Sequence, residues 1–341
     1  MSIQQQNHAR SIFHRATKTL ITAPLILGLA AIGSAQAQDD REGWPQSFTV
    51  GTASQGGTYF VYGSGWANLI ADQLGLSGGG EVTGGPTQNL ALVHNKEVAF
   101  GLTTMGPASD ALSGKSPLAP GIVMDNVCAM FPMYETPFSI TALSNSDITS
   151  ISEIPDGATI GFGPAGSTSD TYFPAILEEL GVDFERRNGG WNDLAGQLQD
   201  GLIDVIAFAA GIPIPAVSQL EVQTDVNIIE FTDDEQAKAI DAFPVSEFTI
   251  PASTYSTLDN DSDVVSMWNF AIAGCDLPES LVYEATRITM ENNDKMRSIH
   301  RSAETTVPEN IKHNEVIPFH PGAARWYKEN GHEIPDDMIY Q

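Results

Sequence analysis

Two glycine-rich loops carry most of the groups in this chain that could grip a ligand. The first lies in FTVGTASQGGTYFVYGSGWANLIADQL, residues 48–74, between a strand-like run and an amphipathic helix. The opening N–H groups of a helix lack internal partners and sit at the positive end of its dipole, so a carboxylate or phosphate is stabilised there. Gly51, Gly56 and Gly57 permit close backbone approach, and Thr58 stands where it would cap the helix. The spacing Gly51-x4-Gly56-Gly57-Thr58 copies a phosphate loop with Gly57 in the lysine position, which weakens a nucleotide reading. Tyr59, beside the glycine pair, is expected to offer its hydroxyl to a cleft.

The second loop, Gly161-Phe162-Gly163-Pro164-Ala165-Gly166, fits G-x-G-x-x-G, with Asp183 about twenty residues beyond Gly163 as a dinucleotide site would have. Pro164 argues against it, because it removes an N–H where pyrophosphate would rest. Ser167, Thr168 and Ser169 fall at a helix start, as Thr58 does in the first loop, and Thr87 and Asn89 open another helix. Each hydroxyl alone reads as a cap. Together they describe two facing lobes that hold a small polar ligand from both sides. No G-x-S-x-G or H-E-x-x-H occurs, and His94, His300, His313, His320 and His332 lack metal-ligand spacing, so each is expected at the surface. The pairs Glu178-Glu179, Asp233-Asp234 and Asp336-Asp337 read as helix-end acids. Neither catalysis, metal nor cofactor is expected.

The elements that would position these loops alternate. Strands are predicted at 48–50, 81–83 and 98–103, with helices at 59–74 and 88–95 between them. After apolar runs at 127–133 and 138–143 the pattern restarts: strand 158–160, helix 171–180, a strand position at Phe184, helix 192–199 and strand 204–208. An α/β half recurring after about 110 residues predicts two similar α/β lobes, with ligand-facing loops at the carboxyl ends of their strands. The run VVSMWNFAIA, 264–273, reads as a strand passing between lobes, followed by a helix over 277–290 and a closing helix after Pro321-Gly322. The expected boundaries are a flexible lead-in at 38–47, the first lobe at 48–137, the second at 138–268, and a return to the first lobe with C-terminal helices over 269–341.

Arg10, Arg15 and Lys18 precede an apolar run from Leu20 to Ile32, and Ala35-Gln36-Ala37 offers small residues for cleavage, so residues 1–37 are expected to be a signal peptide. The mature protein would be soluble, periplasmic and monomeric. The formal charge is −27, and removing the three basic residues of the leader would leave −30. Between Glu42 and Glu185 the only Lys or Arg residues are Lys96 and Lys115, which sets aside nucleic acid and anionic lipid as partners there. Cys128 and Cys275 are permitted to pair in an oxidising space but are equally readable as buried thiols.

GTASQGGTYFVYG resembles the first-strand loop of the TAXI family, solute receptors of one class of TRAP transporters. GGPTQNLALVHNKEVAFG is similar to that family's G-x-[ST]-x-N-L segment, GFGPAGSTSD to its second-lobe loop, FAAGIPIPAV to its glycine-proline segment and FHPGAARWYKENG to its closing signature. The likeness runs in order over about residues 47–332. It implies a type II periplasmic binding fold, with two α/β lobes joined by crossing hinge strands. The ligand would be a small organic acid such as a dicarboxylate, 2-oxoglutarate or glutamate, delivered to TRAP membrane subunits. Carried over residue by residue, it marks Ser54, Gly57, Thr58, Tyr59, Thr87, Asn89, Ser167, Thr168 and Ser169, to which the loops add Gly56, Thr104, Gly166 and Gly211. Thr103 and Thr104 stand where the family shows a glutamine-rich phrase. Arg186 or Arg187 would be the anchor if a cation is used. An exported dinucleotide enzyme and a sensing adaptor are the alternatives.

Overall fold

The computed structural model describes residues 41–341; the expected leader at 1–37 lies outside the described residues. Of the lead-in, Arg41 donates to the Leu74 carbonyl at 3.1 Å and stacks over Trp44, whose indole N–H donates to Ser280 at 2.8 Å. Within the described residues, Arg41 and Trp44 are therefore fastened to the first lobe.

The first lobe opens with β1 (Ser47–Gly51), α1 (Thr58–Leu74), β2 (Ser77–Glu81), α2 (Pro86–His94), β3 (Phe100–Thr104) and α3 (Met105–Leu112). A long strand, β4 (Cys128–Leu143), leads to β5 (Ala158–Gly161), α4 (Thr168–Glu179), β6 (Phe184–Arg187), α5 (Trp191–Gln199), β7 (Val205–Ala209) and α6 (Pro215–Gln223). Then come β8 (Val226–Ile229), α7 (Asp233–Ala242), β9 (Ser246–Ile250), the second long strand β10 (Ser262–Ala273), α8 (Glu279–Glu291), α9 (Asn293–Ile299) and α10 (Pro321–Glu329). The sheet order is β2-β1-β3-β10-β4-β7-β5-β6, with β8 beside β4 and β9 beside β10.

In each half the first-block strands pair in parallel, β1 between β2 and β3, β5 between β6 and β7, as crossover helices require. Between the halves run β4 and β10, antiparallel to each other. Each changes core as it goes. β4 contributes Ala129 to Tyr134 to one apolar cluster and Phe138 to Ala142 to the other, and β10 switches between Met267 and Phe270. Trp66 meets Phe100 and Phe131 in the first cluster at 5.7 and 5.2 Å; Trp191 stacks on Phe208 at 4.4 Å in the second.

Several elements differ from the sequence reading. The strand expected at 81–83 lies at 77–81, in SGGGE, a run whose glycines argue against a strand. Side-chain-free positions are what it needs, because a Cβ on Gly78 would strike the Phe48 ring and one on Gly80 would fall 2.6 Å from Ser64 Oγ. Helix α3 was not foreseen, since Gly106 and Pro107 sit in its first turn. The two apolar runs at 127–133 and 138–143 are one strand. Cys128 and Cys275 are joined in a disulfide that ties the start of β4 to the chain just beyond β10. No helix among the described residues is long and apolar enough to cross a membrane, and no cluster of potential metal ligands occurs among them.

His300 and His320 are buried, contrary to the surface expectation. His320 caps α10: its Nδ1 accepts from the Gly322 N–H at 3.1 Å, which leaves Nε2 to donate to the Leu277 carbonyl at 3.1 Å. Burial pushes its pKa down to about 4. The unfolded chain takes up this proton near pH 6.5 whereas the folded chain refuses it until about pH 4, so stability is lost as pH falls through that window. His320→Asn, which keeps a capping acceptor, should flatten the loss of urea stability between pH 7 and pH 4.5 by about 2 kcal/mol. Equal pH slopes for wild type and variant would contradict this.

Candidate functional site

The carboxyl ends of β1, β3, β5 and β7 face a cleft between the two clusters, where the chain's loops meet around one small cavity. From the first lobe come Ala53, Gly57, Thr58 and Tyr59 at the start of α1, and Gly84, Gly85 and Pro86 at the start of α2. The second lobe supplies Pro164, Ser167 and Thr168 at the start of α4, Trp191 at the start of α5, and Ala209 and Ala210 at the end of β7. Thr136 of β4 also lines the cavity. Four helices, α1, α2, α4 and α5, thus begin at the wall of one small space, and N–H groups at helix starts lack partners within the helix.

Below the cavity the crossing strands meet at Asn269, which is fully buried. Its Nδ2 donates to the Tyr134 carbonyl at 2.5 Å and lies 2.8 Å from Thr136 Oγ1, while its Oδ1 accepts from the Tyr59 hydroxyl at 2.6 Å. Tyr59 therefore presents its ring to the cavity but spends its hydroxyl on the hinge, and burial holds that phenol well above the usual tyrosine range. This corrects the expectation that the hydroxyl faces ligand.

Of the sequence-derived site residues, Gly57, Thr58, Tyr59, Ser167 and Thr168 line the cavity; Ser54, Gly56, Thr87, Asn89, Thr104, Gly166, Ser169 and Gly211 do not. Asn89 is fully committed: its Nδ2 donates to the Thr52 and Leu102 carbonyls and its Oδ1 accepts from Thr83, which locks α2 onto β1 and β3. Ser169 Oγ accepts from the Ala209 N–H at 2.5 Å. Ser167 is the N-cap of α4, accepting from the Asp170 N–H at 3.2 Å. Thr58 is not a cap; Gly57 holds that position and the Thr58 hydroxyl donates across the cleft to the Gly211 carbonyl.

That bond is one of several between lobes. The Thr104 and Thr168 hydroxyls pair at 2.7 Å, the Thr87 N–H donates to the Gly166 carbonyl at 3.4 Å, and the Ala216 N–H at the start of α6 donates to the Gly56 carbonyl at 3.0 Å. Farther out, Tyr172 on α4 donates to Asp110 on α3 at 2.7 Å. The lobes are in contact, and glycines make the contact possible. A Cβ on Gly57 would lie 2.9 Å from Trp191 Cδ1, one on Gly84 2.8 Å from the Ala165 carbonyl oxygen, and one on Gly106 2.6 Å from the Tyr172 ring. Gly56 faces Asn192 with equally little room. In the structure the glycine pair of the first loop therefore meets the opposite lobe.

The second loop is closed to pyrophosphate. Trp191 fills the space at Gly163, and the Gly166 N–H already donates to the Asp170 carboxylate at 2.9 Å. Asp170 in turn binds Arg186 at 2.6 Å and Asn188 at 2.7 Å. Pro174, inside α4, cannot donate to the Asp170 carbonyl, and Arg186 takes up that carbonyl as well, at 3.0 Å. Arg186 is thus engaged, Arg187 is exposed, and neither lines the cavity. The wall positions missed from sequence are Ala53, Gly84, Gly85, Pro86, Thr136, Pro164, Trp191, Ala209 and Ala210. Trp191 had a signal in the preceding Gly189-Gly190. Thr136 belongs to the Glu135-Thr136 couple that interrupts an otherwise apolar strand.

Two α/β halves, a pair of crossing strands and a cleft lined from both sides define the two-lobed fold of periplasmic binding proteins. The chain belongs to the NMT1-like family, whose model matches residues 50–331. Among solved structures, it is similar to the periplasmic binding protein BugD, with a TM-score of 0.56 at 16% identity over 85% of this chain and 99% of that one. It is similar also to MatC from Rhodopseudomonas palustris, solved with bound malate, with a TM-score of 0.55 at 15% identity over 83% and 96%.

Gly57→Val should prop the lobes apart: small-angle scattering should report a larger radius of gyration, while circular dichroism stays unchanged. Gly79→Ala, where a Cβ meets nothing within 4 Å, should leave both at wild-type values. A Gly57→Val protein as compact as wild type would contradict the closing role of this glycine.

Proposed function

We propose that this protein is the extracytoplasmic solute-binding receptor of a secondary transporter of the TRAP type, TAXI class, and that its ligand is a small organic acid. The observation that carries the reading is the convergence of helix starts from both lobes on one cavity, since a ligand there bonds with both halves at once and favours their contact. In the open form solvent reaches the first N–H groups of α1 and α4. A carboxylate displaces that water, and the lobes close about β4 and β10. Binding of malate by MatC supports an organic acid as the class, and the sequence likeness at Gly51–Gly63 and Gly161–Asp170 supports the TAXI assignment. An N-terminal signal peptide and a periplasmic location belong to the same reading, as does action as a monomer.

The test is a thermal-shift and calorimetric screen of organic acids, amino acids and NAD. Stabilisation by organic acids is expected, with a ligand-dependent fall in radius of gyration. Stabilisation by NAD alone would overturn the receptor reading. In the screen Thr58→Val, which removes the bond to Gly211, should weaken binding by about tenfold, equivalent to about 1.4 kcal/mol, and leave unfolding cooperative. For transport, proteoliposomes with TRAP membrane subunits should take up solute only when this protein is added.

A further inference from the structure

We propose that the solute is a small monocarboxylate, with one carboxylate and a short uncharged body, and neither a dicarboxylate nor an amino acid. The inference rests on the receptor reading above and narrows its ligand.

No Asp, Glu, Lys, Arg or His lines the cavity. Its polar side chains are largely spoken for: Thr58 donates to Gly211, Thr168 pairs with Thr104, Ser167 caps α4, and Tyr59 and Thr136 bind Asn269. What remains are donors. They are the first N–H groups of α1 and α4, helices of 17 and 12 residues, and the Thr87 hydroxyl; α2 adds none there, since Pro86 has no N–H and the Thr87 N–H donates to the Gly166 carbonyl. Thr87, next to Pro86 of the wall, is 1% exposed, and its Oγ1 has no hydrogen-bond partner among the described residues. A surplus of buried donors at the positive ends of helix dipoles calls for one acceptor-rich anion.

A second charge has nowhere to go. Another carboxylate would be buried without a cation, and an ammonium would face helix N-termini with no carboxylate in the wall. The nearby acids are engaged already, Asp110 by Tyr172 and Asp170 by Arg186, Asn188 and the Gly166 N–H. The body of the ligand meets Ala53, Pro86, Pro164, Trp191, Ala209 and Ala210, surfaces that suit short hydrocarbon or a neutral oxygen. The overall charge of −27 adds to the discrimination, because a dianion approaches a strongly negative molecule less readily than a monoanion.

The experiment is calorimetry on the wild-type protein, purified without denaturation, with length-matched ligands: butyrate against succinate, 2-hydroxybutyrate against malate, 2-oxopentanoate against 2-oxoglutarate, with glutamate and butyramide alongside. The monocarboxylate of at least one pair should bind at least tenfold more tightly than its dicarboxylate and than glutamate, and butyramide should lose at least tenfold against butyrate. A dicarboxylate or glutamate that binds more tightly than every monocarboxylate overturns this inference and leaves the receptor reading standing. Butyramide equal to butyrate overturns the anionic anchor. Binding of none of these ligands overturns both this inference and the organic-acid receptor reading.

Discussion

Everything about the cleft depends on two long strands that must be buried in two separate cores and still carry polar atoms where they cross. β4 and β10 meet this constraint with one side chain. Asn269, fully buried, satisfies the Tyr134 carbonyl, Thr136 and the Tyr59 hydroxyl together, so the polar break between the apolar stretches of both strands is stitched internally. The same knot fixes Tyr59, and with it the first turn of α1, over the floor of the cavity. Hinge and binding surface are held by one set of hydrogen bonds.

The glycines follow from this arrangement. Two lobes that share a hinge can touch only if one surface is stripped of side chains where the other is bulky. Gly57 opposite Trp191 and Gly106 opposite Tyr172 show the matching from the two sides of the cleft. Backbone carbonyls exposed by that stripping become acceptors for the other lobe, Gly56 for the Ala216 N–H and Gly211 for the Thr58 hydroxyl.

Much of this was legible in the sequence. The repeat of strand, glycine turn and helix predicted two α/β halves, and both loops were located because helix starts announce themselves through glycine followed by hydroxyl residues. What a single loop could not reveal was its partner. Gly57 as a ligand-approach glycine and Gly57 as a lobe-approach glycine look alike in one dimension; only Trp191, 134 positions later and in the other half, separates them. Asn89 and Ser169 misled for a related reason, since a polar residue at a helix start serves a carbonyl or an N–H of its own lobe as readily as a solute. The glycine-rich β2 was misplaced because strand propensity penalises the residues that close packing against Phe48 demands.

The bonds between lobes in and beside the cavity are neutral: hydroxyl to carbonyl, hydroxyl to hydroxyl, and amide to carbonyl. Among those described here, only Tyr172 with Asp110, at the rim, involves a carboxylate. Dissolved ions screen charges in proportion to their exposure and leave short dipolar bonds nearly untouched. A molecule whose outside is densely acidic thus keeps a clasp whose own bonds salt does not loosen, while salt screens the repulsion between its two acidic halves.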